Sequence, residues 1–180
     1  MLPVPDPPLT DGVVTLRLPD EQDLSAIEQG VRDPDVIQWF GRQDLTAPEV
    51  LELNRTRWSE GSGATFAVCD PQGDCVGHVW MNLSDPSRGS VGYWLLPRAR
   101  GWGLATRSVR LLSRWALREL GLVRLQVLTE PGNLASQRVA ERCGYGREGV
   151  LRSYARIDDR LVDYLVFSLL PGDLSNMEAR

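Results

Sequence analysis

Val91-Gly92-Tyr93-Trp94-Leu95-Leu96-Pro97-Arg98-Ala99-Arg100-Gly101-Trp102-Gly103-Leu104-Ala105-Thr106 carries a strand into a turn with two glycines and from there straight into a helix. Glycine lets a backbone approach a ligand closely. The first turn of a helix leaves N–H groups unpaired beside the positive end of its dipole. Arg98, Arg100 and Arg107 add fixed charge suited to phosphate oxygens. The stretch therefore predicts an anion site. Its plainer reading is a tight corner with solvated arginines. It lacks the GxxxxGK[ST] of nucleotide-hydrolysing loops. Gly101-x-Gly103 is followed by Thr106 where a dinucleotide fingerprint needs a small residue, although Glu130 stands after the next strand, as a ribose-binding acid would.

Outward from this stretch, Leu104, Ser108, Leu111, Leu112, Trp115, Ala116 and Leu120 share one helical face, which predicts a helix over 103–120 ended by Gly121. Upstream, β-rich runs at 65–69, 76–83 and 90–96 are separated by turn-forming Asp70-Pro71-Gln72-Gly73-Asp74 and Asp85-Pro86-Ser87-Arg88-Gly89, an antiparallel meander. Before it come a strand at 13–18 and helical patterns at 20–30, 35–40 and 48–60, the last with Thr46 as candidate N-cap. Downstream come a strand at 124–129, a helix at 133–142, and a closing hairpin of 145–157 and 161–169 around Asp158-Asp159. The order predicts an α+β, or mixed α/β, fold: a mostly antiparallel twisted sheet of about seven strands with helices on both faces. No repeat or linker interrupts it. We expect one domain over 13–170, flanked by tails at 1–12 and 171–180.

The chain has 180 residues and a formal charge of −4, which gives no electrostatic reason to expect nucleic-acid binding. No apolar run approaches a membrane span, and residues 1–8 lack the basic and apolar parts of a secretory leader, so a cytoplasmic protein without membrane partners is expected. Three cysteines without CxxC spacing and a single histidine argue against a disulfide framework and a metal centre. Every basic side chain is arginine. A codon-usage bias explains this simply, and avoidance of self-modification by an amine-acylating enzyme explains it functionally.

Arg100-Gly101-Trp102-Gly103-Leu104-Ala105 resembles the Q/R-x-x-G-x-G/A signature of the GNAT superfamily of N-acetyltransferases. Gly92-Tyr93-Trp94-Leu95, Asn133-Leu134-Ala135-Ser136, Arg142-Cys143-Gly144-Tyr145, Glu148-Gly149 and Asp163-Tyr164 are similar in order and spacing to its RimJ/RimL-type branch, which acetylates the N-termini of ribosomal proteins. The resemblance runs from about Val13 to Leu170. It implies a GNAT-type fold, acetyl-CoA as donor and CoA as product, with succinyl-CoA or another acyl-CoA as alternatives. The strand holding Tyr93, Trp94, Leu95 and Leu96 would splay from its neighbour and pair with pantetheine. The diphosphate would rest on the amides of Arg100, Gly101, Trp102, Gly103, Leu104, Ala105 and Thr106. Asn133 would bind the pantetheine arm, besides capping a helix. Ser136 would sit by the thioester sulfur and protonate the departing thiolate, unless it is a first-turn serine bonding backbone. Arg138 and Arg142 would reach the 3′-phosphate region or face solvent.

The chain departs from these relatives at three places. Ser90-Val91-Gly92 replaces a frequent glutamate, Ala140 a frequent acid tyrosine, and Ala155 another glutamate. The remaining candidates for moving the proton are His78, Asp85, Tyr93, Glu130 and Tyr154. Of these, His78 has the most suitable intrinsic pKa, and Tyr154 is placed to replace the missing acid. With Ser136 they form the expected catalytic set. Trp39, Phe40 and Trp58 would frame the acceptor pocket, whereas Trp80, Trp94 and Trp115 read as core. The expected reaction transfers an acetyl group to a protein or peptide α-amine. A small-molecule amine acceptor and a non-catalytic acyl-CoA sensor are the alternatives, and a homodimer is compatible with the resemblance.

Overall fold

The computed structural model describes residues 1–178. Its elements follow the expected order: β1 (Leu9–Thr10), β2 (Thr15–Arg17), α1 (Leu24–Arg32), α2 (Pro34–Phe40), α3 (Ala47–Glu60), β3 (Gly63–Cys69), β4 (Cys75–Asp85), β5 (Arg88–Leu95), α4 (Leu104–Arg118), β6 (Arg124–Thr129), α5 (Leu134–Arg142), β7 (Gly146–Ile157), β8 (Arg160–Leu169) and α6 (Leu174–Glu178). The strands form one sheet in the order β1-β2-β3-β4-β5-β6-β8-β7. Every neighbouring pair is antiparallel except β5 and β6, which run parallel. The additional strand beyond the expected seven is the two-residue β1.

Local chemistry sets the helix boundaries. Thr46 and Glu49 form a reciprocal capping box at the start of α3, as the Thr46 reading anticipated. Asp33 accepts from the Asp35 and Val36 amides at 2.9 and 3.2 Å, and Pro34 opens α2. Gly121 takes the left-handed conformation at φ 68°.

Strand alternation divides the sheet between two packed faces. On one, Phe66, Val79, Val91 and Leu125 meet Val109, Leu112 and Trp115 of α4 and Ala140 of α5. Each fully buried Leu or Val there stabilises the fold by about 1.5–3 kcal/mol. On the other, Ala67 and Leu96 pack with Ala26 of α1, and Ile27 of α1 clusters with Ala47 and Leu51 of α3.

Both expected tails are corrected by the packing. Leu2 exchanges backbone hydrogen bonding with the end of α3 and accepts from Trp58 Nε1 at 2.9 Å, while β1 pairs with β2. After β8, Leu174 and Met177 are buried in the main core. Their i, i+3 spacing puts both on one side of a helix too short for its periodicity to stand out in the sequence. No helix among the described residues is long and apolar enough to cross a membrane.

Candidate active site

The parallel pair that breaks the antiparallel pattern also breaks off early. β5 pairs with β6 only from Arg88 to Ser90, opposite Arg124 to Gln126, and the strands then diverge. Leu96 N–H bonds Val76 C=O at 2.8 Å, so by ladder alternation the even residues of β5 bond β4, and the backbone groups of Tyr93 and Leu95 face the gap. One edge of the gap therefore offers the Tyr93 amide and carbonyl and the Leu95 amide to an extended ligand, while the Leu95 carbonyl accepts from Arg100 Nε. The expected splay is present.

At the end of β5 the chain turns through Gly101 (φ 82°) and Gly103 (φ 78°) into α4. Gly103 is the N-cap and supplies no side-chain bond, so the amides of Leu104, Ala105 and Thr106 have no cap. No atom lies within 4 Å of where a Cβ on either glycine would stand, which leaves room against the backbone. Beside the helix start is a cleft of about 450 Å³ lined by Asp11, Gly103, Thr106, Arg107, Arg110 and Arg142. Asp11 pairs with Arg107 at 2.7 Å. Arg110 donates to the Arg142 carbonyl at 2.6 Å. Uncapped amides with arginines alongside suit a di- or monophosphate. Arg110 was missed in the sequence, although its spacing from Arg107 put the two on one side of α4.

Arg100 requires a correction as a source of phosphate-binding charge. Its guanidinium bonds Asp33 at 2.8 Å and also Asp35, and its Nε donates to the Leu95 carbonyl at 2.9 Å. It ties the turn to the start of α2. Leu104 is buried and Trp102 is 77% exposed, so these residues offer the site their backbone only, or an outer edge.

At the open end of the gap, hydroxyls gather. Asn133 Oδ1 accepts the Ser136 amide at 3.0 Å, the expected N-cap of α5. Beyond the paired residues, Tyr93 of β5 and Thr129 of β6, the latter in alternation with Leu125 and Val127, both turn to the α4/α5 face. The Tyr93 hydroxyl and Thr129 Oγ1 are both buried without a hydrogen-bond partner. Burial pushes Tyr93 up to about 12, and Ser136, its near polar neighbour, opposes this without a bond of normal geometry. Orphaned buried hydroxyls are uncommon. Here two flank a gap lined by backbone, so the residues fit an acyl thioester that would satisfy them.

The rest of the expected catalytic set is not gathered here. His78 is fully buried, its ring on Trp94 at 5.0 Å, with Nε2 unpartnered, and burial pushes it down to about 4. It faces the α1 side and stays neutral near pH 7, so its selection as proton carrier is corrected. The unfolded chain, with an ordinary histidine near 6.5, binds a proton that the fold rejects. Stability should therefore fall as pH drops from about 6.5 to about 4, by up to about 1.4 kcal/mol per pH unit. Thermal unfolding at pH 7.5 and 5.5 checks this: His78→Leu should narrow the difference in Tm between them. Tyr154 is 56% exposed on β7, with its ring on Tyr164 at 6.0 Å.

Trp58, expected as an acceptor wall, is core: it stacks on Trp115 at 6.0 Å and meets Phe66 edge-on at 5.2 Å. Phe40 lies on Trp80 at 5.4 Å, and half-buried Trp39 faces Gly132. These two do stand on the α2 side of the gap. Trp80 covers Gly92 so closely that a Cβ there would meet its ring at 2.5 Å, which explains why no glutamate fits at that place in β5.

Residues 14–146 match the sequence profile of the acetyltransferase (GNAT) domain. The uncharacterized N-acetyltransferase p20 of Bacillus licheniformis is 27% identical over 164 residues, 87% of this chain and 92% of that protein. A candidate ribosomal-protein-serine acetyltransferase from Vibrio cholerae superposes with a TM-score of 0.79 at 26% identity, covering 94% of this chain and 100% of that one. The spermidine N-acetyltransferase of Vibrio cholerae, solved with CoA and spermine, superposes with a TM-score of 0.80 at 20% identity over 92% of this chain and all 100% of that one.

Proposed function

We propose, from the premise that this chain belongs to the acetyltransferase (GNAT) domain family and is an acetyl-CoA-dependent N-acetyltransferase, that its acceptor is the α-amine of a protein or peptide. The observation that carries the placement of the donor is the gap beyond Ser90 and Gln126, which opens beside the uncapped start of α4. Pantetheine pairs with Tyr93 and Leu95 there, the diphosphate takes the amides of Leu104 to Thr106, and the thioester reaches the hydroxyls of Tyr93, Thr129 and Ser136. The donor acyl group is acetyl.

The amine nitrogen attacks the thioester carbonyl carbon. A C–N bond forms, the C–S bond breaks, the nitrogen sheds a proton, and the sulfur ends with one. Ser136 and Tyr93 donate hydrogen bonds to the sulfur as charge builds on it, and fixed donors in a dry site favour that charge strongly. An α-ammonium with a pKa of about 8 is partly deprotonated at neutral pH, whereas a lysine near 10.4 is not. A site with its histidine buried and neutral suits the first acceptor better.

A thiol-release assay with acetyl-CoA and an acceptor panel tests the proposal. Peptides with free N-termini should give the highest kcat/KM, N-blocked lysine peptides at least about tenfold less. Preference for spermidine or an aminoglycoside would replace the acceptor. Binding of CoA without turnover on any amine would replace catalysis by sensing, and faster release from succinyl-CoA would replace the acyl group.

A further inference from the structure

One carboxylate near the gap is nearly buried and only loosely paired. Glu130 follows β6 directly and alternates with Thr129, so it faces the α2 side while Thr129 faces the thioester side. Its side chain is only 13% exposed, yet its charged neighbour, Arg160, stands at 3.4 and 3.5 Å. These lengths lie outside the range of a normal N–H···O bond. Two other carboxylates are held more tightly: Glu148 by Arg124 at 2.8 Å and Ser168 at 2.6 Å, Asp23 by Arg17 at 2.7 and 2.6 Å. Glu130 is therefore shielded from water and incompletely bonded, which is unfavourable unless something else completes it.

The surroundings suit a cation. Tyr164, half-buried, feels the Glu130 charge and has Tyr154 against it. Trp39 packs over Gly132, two residues further along the loop. Arg160 comes from the first position of β8, where the guanidinium also donates to the Gln38 carbonyl of α2 at 3.3 Å. A carboxylate with aromatic faces nearby is the composition that binds ammonium groups. In this structure the guanidinium that approaches it is the chain's own.

We propose that Glu130 is the residue that binds the acceptor's ammonium group, and that Arg160 occupies this place until the acceptor displaces it. This rests on the transferase reading above and extends it to the acceptor. A primary ammonium can approach the carboxylate closely with three donors, whereas the guanidinium stands at 3.4 and 3.5 Å and is shared with the Gln38 carbonyl at 3.3 Å. The ammonium passes its proton to water, and the free amine leaves the carboxylate for the thioester carbon. The C–N bond forms as the C–S bond breaks, and CoA departs as the protonated thiol. Arg160 then returns and helps expel the neutral amide.

Steady-state kinetics with a short peptide bearing a free α-amine test the proposal, with acetyl-CoA affinity followed by calorimetry. Glu130→Gln should raise the acceptor KM about tenfold or more, the size of a charge-assisted hydrogen bond, and leave acetyl-CoA affinity unchanged. Glu130→Asp should recover part of the loss. Arg160→Ala should move the acceptor KM the opposite way, lowering it about two- to fivefold, the size of an exposed ion pair. Unchanged acceptor KM in Glu130→Gln, or an increase in Arg160→Ala, would overturn the inference while wild-type turnover keeps the transferase reading. Absence of wild-type turnover on every amine would overturn both.

Discussion

Gly103→Glu should lower acetyl-CoA affinity by at least about 100-fold, which corresponds to about 2.7 kcal/mol, with thermal stability reduced to the same extent as in Gly103→Ala. Gly103 is the uncapped start of α4, and nothing occupies the space a Cβ would enter. A side chain there displaces no protein atom. It projects into the volume assigned to the diphosphate and brings negative charge to a site whose amides and dipole favour an anion. Arg107 and Arg110 can pair with the new carboxylate, but guanidinium groups so engaged are lost to the phosphates, so both routes weaken binding. Gly103→Ala separates charge from backbone strain. Gly103 sits at φ 78°, where an L-residue is disfavoured by about 1–2 kcal/mol. Alanine should lower Tm with only a few-fold loss of affinity. Calorimetry on both variants, with Tm as control, reads the difference.

Tyr93→Phe and Ser136→Ala should each reduce kcat about 10- to 100-fold with acetyl-CoA affinity nearly unchanged. The Tyr93 ring is part of the packed face, and phenylalanine preserves it. The hydroxyl is buried without a hydrogen-bond partner, so its removal should leave the fold as stable or more so. A structural hydroxyl would give the reverse: lower Tm and unchanged kcat. The double variant should be little slower than the slower single one, because both groups serve the same leaving sulfur. An acyl donor with a more acidic thiol should be affected less by either change.

The fold was largely legible because its signals are local. Alternating runs bounded by Asp-Pro and Gly turns gave the meander, Thr46 marked the start of α3, and Gly101 and Gly103 marked the corner that leads into α4. Tertiary choices were less accessible. Arg100 reads as a phosphate ligand until α2 folds beside it, and its carboxylate partners lie 65 and 67 residues upstream. Trp58 was ambiguous because a large aromatic at the end of an amphipathic helix packs inward or lines a pocket with the same periodicity. Here Phe66 and Trp115 decided it. His78 had a suitable intrinsic pKa, but the desolvation that disqualifies it depends on α1 and Trp94 covering it. Tyr93 and Thr129 belong to strands separated by the whole of α4, so their sharing one face beyond the paired ends of β5 and β6 follows from the tertiary fold, which no local pattern encodes.

The central claim is that acyl-CoA lies between β5 and β6 and against the start of α4. Amide hydrogen exchange measured residue by residue, with and without saturating acetyl-CoA, tests it most directly. The amides of Tyr93 and Leu95, and those of Leu104 to Thr106, should exchange readily in the free protein and become strongly protected in the complex, while the paired amides of β3 and β4 stay as they were. Bound acetyl-CoA that left these five amides unprotected would contradict the account.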